Sequence, residues 1–137
     1  MSSKARVLFV CVANAARSQI AEALLRHMAG DHYEVFSAGS APTGIDPRTI
    51  EALRDKGISV EGLRSKSLDE FEGQAFDYVI TLCDKSALEC RALPNAGEVI
   101  AWNFEDPAAS LSAFAFKNTL HDINERIKMF VLVKNKR

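Results

Sequence analysis

Little in this chain marks a specialised class, and each shortage excludes something. Three cysteines in 137 residues are too few, and odd in number, to build a disulfide framework. No apolar run approaches the ~18 residues that span a bilayer, so no membrane role is expected. Neither sign of charge dominates. Seventeen Lys+Arg stand against eighteen Asp+Glu, a net charge of -1, which argues against a nucleic-acid partner. Internal repeats, linkers and low-complexity stretches are missing too. The three histidines, His27, His32 and His121, lie away from the cysteines at spacings that no metal site uses, so no metal is expected. The first residues lack the layout of a signal peptide, and thiols of this kind suit a reducing compartment, so cytoplasmic placement is expected.

What is present is an ordinary globular composition, 47% hydrophobic and 26% charged. That amount of apolar residue fills the core of one domain, residues 1–137, and not two. The run RVLFV predicts a strand over 6–10 that is buried on both faces. Ile20, Leu24 and Met28 recur every four residues with Ala21 and Leu25 beside them, which predicts a helix that stops with Gly30 at its C′ position. A second strand is expected over 33–38, then turn-rich residues, then a helix opening at Pro47 and ending at Lys56-Gly57. A short strand over 58–60, a clear one over 76–82 (FDYVITL) and another over 98–102 (EVIAW) follow. From Pro107 a long helix is expected, with Phe116, Leu120, Ile123, Ile127 and Phe130 on one face. The closing run MFVLV suits a buried last turn or a subunit contact, and the basic residues after it a solvated tail. Strands alternating with helices predict an α/β fold: a four-stranded parallel sheet flanked by helices on both faces. Ligands of such folds sit outside the carboxyl ends of the strands, where Cys11 and Cys83 both fall.

The chemistry concentrates in Cys11-Val12-Ala13-Asn14-Ala15-Ala16-Arg17-Ser18. A strand ends, small residues follow, and a helix begins beside an arginine. Such a loop turns successive backbone N–H groups inward to make an anion-binding nest, and the helix N-terminus adds its partial positive charge. Arg17 supplies a planar fork for two oxygens of a tetrahedral oxyanion. The same surroundings favour the thiolate of Cys11. Ser18 is placed to donate to that sulfur, and Asn14 tolerates the left-handed backbone needed to brace the loop. Taken alone, the Cys-x5-Arg spacing is weak, and Cys11 reads equally well as a buried strand-end thiol. The strand before, the helix after and the small residues between favour the functional reading.

The stretch VCVANAARSQIAEA resembles the active-site loop of the low-molecular-weight protein tyrosine phosphatase superfamily. The similarity continues through SAG, IDPRTIEALRDKGI, SKS, FDYVITLCD and WNFEDPA, up to about Ala109. Its fold is the four-stranded parallel sheet expected above. One branch hydrolyses phosphotyrosine; the other, arsenate reductases coupled to thioredoxin, carries two further cysteines matched here by Cys83 and Cys90. Gln19, where phosphatases usually carry Pro, and Ala-Ala-Ser after Asp106-Pro107, where phosphatases hold an aromatic pair, also lean to the reductases. The resemblance implies that Cys11 attacks an arsenate held by residues 12–18 and that Asp106 donates a proton. Cys83 and Cys90 then carry the electrons as a disulfide pair, a two-electron step that one thiol cannot supply. The oxidised pair passes to an external thiol reductant, thioredoxin or glutaredoxin with glutathione, and no cofactor is bound. The segment 84–90 is expected to move during this relay.

In isolation Cys83 reads as core, Cys90 as a bystander and Asp106-Pro107 as a helix start with Asp as N-cap. The runner-up function is a phosphatase acting on aryl phosphates, an activity the reductase reading also allows as a residue. A third reading is a non-catalytic oxyanion-binding or redox-sensing module. Some relatives bind potassium beside the loop through Asn, Glu, Ser and Asp side chains. Asn14, Glu22 and Ser37 match those positions, but the fourth is Lys66, whose ammonium could replace the cation, so a potassium site is not expected; read by itself, Lys66 is a loop charge.

Overall fold

The computed structural model describes residues 4–82, 95–110 and 112–134. At its centre is β1 (Ala5–Cys11), hydrogen-bonded in parallel to β2 (Tyr33–Gly39) on one side and β3 (Ala75–Thr81) on the other. Beyond β3 lies β4 (Asn95–Ala101), also parallel, giving the order β2-β1-β3-β4. β1 is paired along both edges and covered on both faces by apolar clusters, which is why its VLFV run has no polar position. Val7 and Phe9 enter one apolar cluster while Leu8 and Val10 enter the other, all at 1% exposure or less.

Three α-helices are described: α1 (Arg17–Ala29), α2 (Pro47–Asp55) and α3 (Ala115–Lys134). All three contribute to the larger cluster, through Ile20 and Leu25, Leu53, and Ile123 and Ile127 respectively. Burying each such side chain contributes about 1.5–3 kcal/mol. Over the opposite face the described cover is a 3-10 turn, Leu68–Phe71, whose Phe71 meets Phe36 and Phe76 edge-on at 5.6 and 5.8 Å. No described helix is long and apolar enough to cross a membrane.

Several boundaries differ from the sequence pattern, each for a local reason. Residues 58–60 form no strand. Gly57 takes a left-handed φ of +74° after α2, and the Ile58 N–H returns to the Leu53 carbonyl at 3.0 Å, so this segment caps a helix. Gly30 follows α1 with an ordinary right-handed φ of −60°, so it is not a left-handed C′ residue. The helix expected from Pro107 is broken. Pro107–Ala109 forms a single 3-10 turn, and Ser110 and Ser112 accept bonds from the N–H groups of Ser112 and Phe114, which competes with helix until Ala115. β4 begins at Asn95, ahead of its apolar residues, because β3 offers ladder partners to any backbone there. In the closing run Phe130 is buried while Met129, Leu132 and Val133 are more than half exposed. Lys134 is no free tail residue, since it pairs with Glu98 at 3.4 Å over the Tyr78 ring.

Candidate active site

Strand order reverses at β1, whose neighbours continue in opposite directions, and the crevice lies at its carboxyl end. Cys11, the last residue of β1, is 2% exposed there. It shares a pocket of about 590 Å³ with Ala13, Ala15, Ala16 and Arg17 of the loop, residues 43–48, Asp106 and Ala108. A larger groove of about 690 Å³, between residues 103–110 and α3, shares Asp106 but has no described thiol.

The loop 12–16 is held from outside by its carbonyl groups. Val12 O accepts from the Ala41 N–H at 2.9 Å and Ala13 O from the Thr43 N–H at 3.1 Å. Asn14 O accepts from Gln19 Nε2 at 3.0 Å. Ala15 O accepts from the Asp46 N–H at 3.1 Å and Thr49 Oγ1 at 3.0 Å. In a trans peptide the N–H lies opposite its C=O, so carbonyls tied to the outer wall turn the following N–H groups toward the pocket. One residue must bend for this. Asn14 takes a φ of +50°, the one positive φ outside glycine among the described residues. Helix α1 then starts at Arg17 behind Ala16, which offers no side-chain cap, so its first N–H groups remain for an anion.

Arg17 is fixed at one end and open at the other. A terminal nitrogen donates to the Phe104 carbonyl at 2.9 Å, and the other lies 3.9 Å from Asp106 Oδ2. Its Nε is buried with no hydrogen-bond partner among the described residues, a donor awaiting an acceptor. Asp106 caps the 3-10 turn by accepting from the Ala108 N–H at 3.0 Å, while about half of its side chain stays exposed beside Arg17. At the pocket mouth Asp46 caps α2 and pairs with Arg48 at 2.8 Å, whose guanidinium stands 4.6 Å over the Phe116 ring. The hydrogen bonds of Arg48 hold the Asp46 carboxyl below the usual aspartate range.

Under the loop is a buried polar cluster. Asn14 Nδ2 donates to Ser18 Oγ at 2.7 Å and Ser37 Oγ at 3.0 Å. Ser18 accepts there, which leaves its own proton for another acceptor. Asn14 Oδ1 accepts from Gln19 Nε2 at 2.9 Å and the Lys66 N–H at 2.7 Å. Ser65 Oγ donates to Ala13 O at 3.3 Å. Lys66 is therefore no solvated loop charge: it is 7% exposed and faces Glu22 at 3.4 Å.

The structure thus places Cys11, Ala13, Ala15, Ala16, Arg17 and Asp106 around one cavity, whereas Val12 does not line it and the side chains of Asn14 and Ser18 are buried in the cluster beneath the loop. Sequence reasoning missed Thr49, Ser65 and the buttressing role of Gln19. Their only signal is a polar side chain in an otherwise apolar or loop setting. Cys83 and Cys90, with the segment 84–90, lie outside the described residues. Leu82, just before them, is fully buried, and its N–H bonds to the Val10 carbonyl at 2.9 Å, one residue from Cys11.

Comparison with known proteins agrees with this geometry. A family model described as low molecular weight phosphotyrosine protein phosphatase matches residues 6–136. An arsenate reductase of Halalkalibacterium halodurans is 33% identical over 133 residues, 93% of this chain and 96% of that protein. The solved structure of an arsenate reductase in its phosphate-binding state superposes with a TM-score of 0.80 at 25% identity, covering 94% of this chain and 98% of the other. A thioredoxin-dependent arsenate reductase of Corynebacterium glutamicum gives a TM-score of 0.72 at 32% identity, over 96% of this chain and 62% of the longer relative.

Proposed function

The chain belongs to the low molecular weight phosphotyrosine protein phosphatase family, and from that premise we propose that it is an arsenate reductase working by a three-cysteine relay. The observation that carries this reading is the pocket itself. A buried thiol shares the pocket with the Arg17 Nε–H, which has no hydrogen-bond partner among the described residues, and the described lining combines small loop residues with two arginines and two aspartates and holds no aromatic ring. That lining accepts a free tetrahedral oxyanion and offers an aryl ester no aromatic ring to stack on. The name of a relative matched over nearly its whole length, that of a longer thioredoxin-dependent one, and the presence of Cys83 and Cys90 in the sequence support the reductase half.

Arsenate binds in the loop with two oxygens on Arg17, and the Cys11 thiolate attacks arsenic. One oxygen leaves as water, its proton supplied by Asp106, and a Cys11 sulfur–As(V) bond forms. The Cys83 thiolate then attacks the Cys11 sulfur. The sulfur–arsenic electron pair stays on arsenic, so arsenite departs and a Cys11–Cys83 disulfide remains. Cys90 attacks the Cys83 sulfur, which returns Cys11 to its thiolate. A dithiol protein of the thioredoxin class, or glutaredoxin with glutathione, reduces the Cys83–Cys90 disulfide. Cys83 follows directly on Leu82, whose bond to Val10 supports its delivery toward Cys11.

A second reading, hydrolysis of aryl phosphates, is favoured by the family model itself. One experiment separates the two. Cys83→Ser is expected to abolish thioredoxin-coupled arsenate turnover while phosphate binding persists. Undiminished turnover would reject the relay, and robust aryl phosphate hydrolysis untouched by the substitution would favour the phosphatase.

A further inference from the structure

The charges beneath the oxyanion loop have no part in the steps above. Lys66 Nζ stands 3.4 Å from Glu22 Oε1 and 2.7 Å from the Arg64 carbonyl oxygen. Ser37 Oγ donates to the same Glu22 oxygen, and Arg26 donates to Oε2, both at 2.5 Å. Glu22 is 3% exposed and Ser37 fully buried. A carboxylate and a main-chain carbonyl are the hard oxygen ligands that a small metal cation seeks, and here an ammonium has taken them.

The residues do not fit a potassium ion at this place. Asn14 Oδ1 already accepts from the Lys66 and Gln19 N–H groups, and Ser37 Oγ is engaged on both sides. One carboxylate charge faces two cations, Lys66 and Arg26. A third positive charge would sit uncompensated in a buried site, at a cost of several kcal/mol.

We propose that Lys66 is a built-in cation for the oxyanion loop, so that anion binding by this chain requires no alkali metal ion. The inference rests on the oxyanion-binding half of the reading above. Lys66 is a positioning residue and acts through Asn14. Its backbone N–H fixes the Asn14 side chain, and its ammonium keeps Glu22 oriented toward Ser37, which in turn accepts from Asn14. Burial pushes the ammonium's pKa down and Glu22 opposes the shift, as befits a cation retained by its partner.

The test compares the full chain with Lys66→Ala in potassium chloride and in choline chloride at equal ionic strength. Calorimetry reads phosphate affinity, and thermal unfolding without phosphate reads stability. The wild type is expected to bind phosphate within about twofold in both salts and to melt alike in both. Lys66→Ala is expected to lose about tenfold in choline and to recover with potassium or ammonium, its melting midpoint moving in the same sense. A wild type whose affinity or midpoint needs potassium overturns the proposal. So does a loss in Lys66→Ala that neither cation relieves, or an absence of any loss. Should Lys66→Ala fail to fold, the wild-type comparison still decides, joined by the Glu22→Gln/Lys66→Met pair, which removes both charges and is expected to be indifferent to potassium. Should the wild type bind no phosphate, the oxyanion reading fails, while the melting comparison still judges Lys66.

Discussion

Gly39→Ala is the most economical test of how the loop is held. Gly39 ends β2 opposite Cys11 in the ladder, and its N–H bonds to the Lys66 carbonyl at 2.8 Å. A Cβ at this position would stand 2.4 Å from Val12 O, 2.8 Å from Cys11 O and 2.9 Å from the Asn14 nitrogen. All three are backbone atoms, so no side chain can swing away to relieve the overlap. Either the end of β2 lifts or the loop yields, and the loop is softer because β1 is packed on both faces. Overpacking of this kind costs about 1–3 kcal/mol. If the loop absorbs it, each 1.4 kcal/mol of lost preorganisation weakens anion binding about tenfold. Urea unfolding and phosphate calorimetry on the wild type and the variant separate the two quantities. A variant within about 0.5 kcal/mol of wild-type stability and within about twofold of its phosphate affinity would refute the close-approach reasoning.

Two further outcomes follow from the same geometry. Arg17→Lys keeps the charge but loses the fork and the buried Nε, so phosphate affinity should fall about ten- to a hundredfold with the melting midpoint little moved; unchanged affinity would show that the guanidinium does not bind the anion. Asp46→Ala removes the α2 cap and the Arg48 pair, and should cost about 1 kcal/mol at neutral pH. Because the folded Asp46 carboxyl titrates below its unfolded value, its contribution is present above the ordinary aspartate range and is lost as pH falls through the lower, folded value. The gap between wild type and variant in urea unfolding should therefore narrow in strong acid, and a pH-independent gap would contradict the assignment.

Much of the architecture was legible in the chain because β1 and the second half of β3 are largely buried on both faces. Burial of that kind leaves runs that are apolar throughout, VLFV, or but for one threonine, YVITL, a pattern foreign to turns and exposed helices. The boundaries that slipped are those where a neighbour overrules local preference. Asn95, Ala96 and Gly97 are poor strand formers, yet they complete a ladder along β3. Ser110 and Ser112 divert backbone donors that the periodicity of α3 had claimed for a longer helix.

The order of residues alone determined the chemistry that meets at the end of β1: a thiol, a loop of small residues and an arginine opening a helix. These are neighbours along the chain, so their proximity needs only a strand, a turn and a helix. What the tertiary structure decided is which distant residues grip that loop. Ala15 is held by Thr49, 34 positions away, while Ala13 and Asn14 are held by Ser65 and Lys66, each 52 positions away. Contacts so remote exist only once β1 and β2 have paired and the chain has returned past their carboxyl ends. That is why Lys66, one charge among several on a polar stretch, proves to be a buried partner of Glu22.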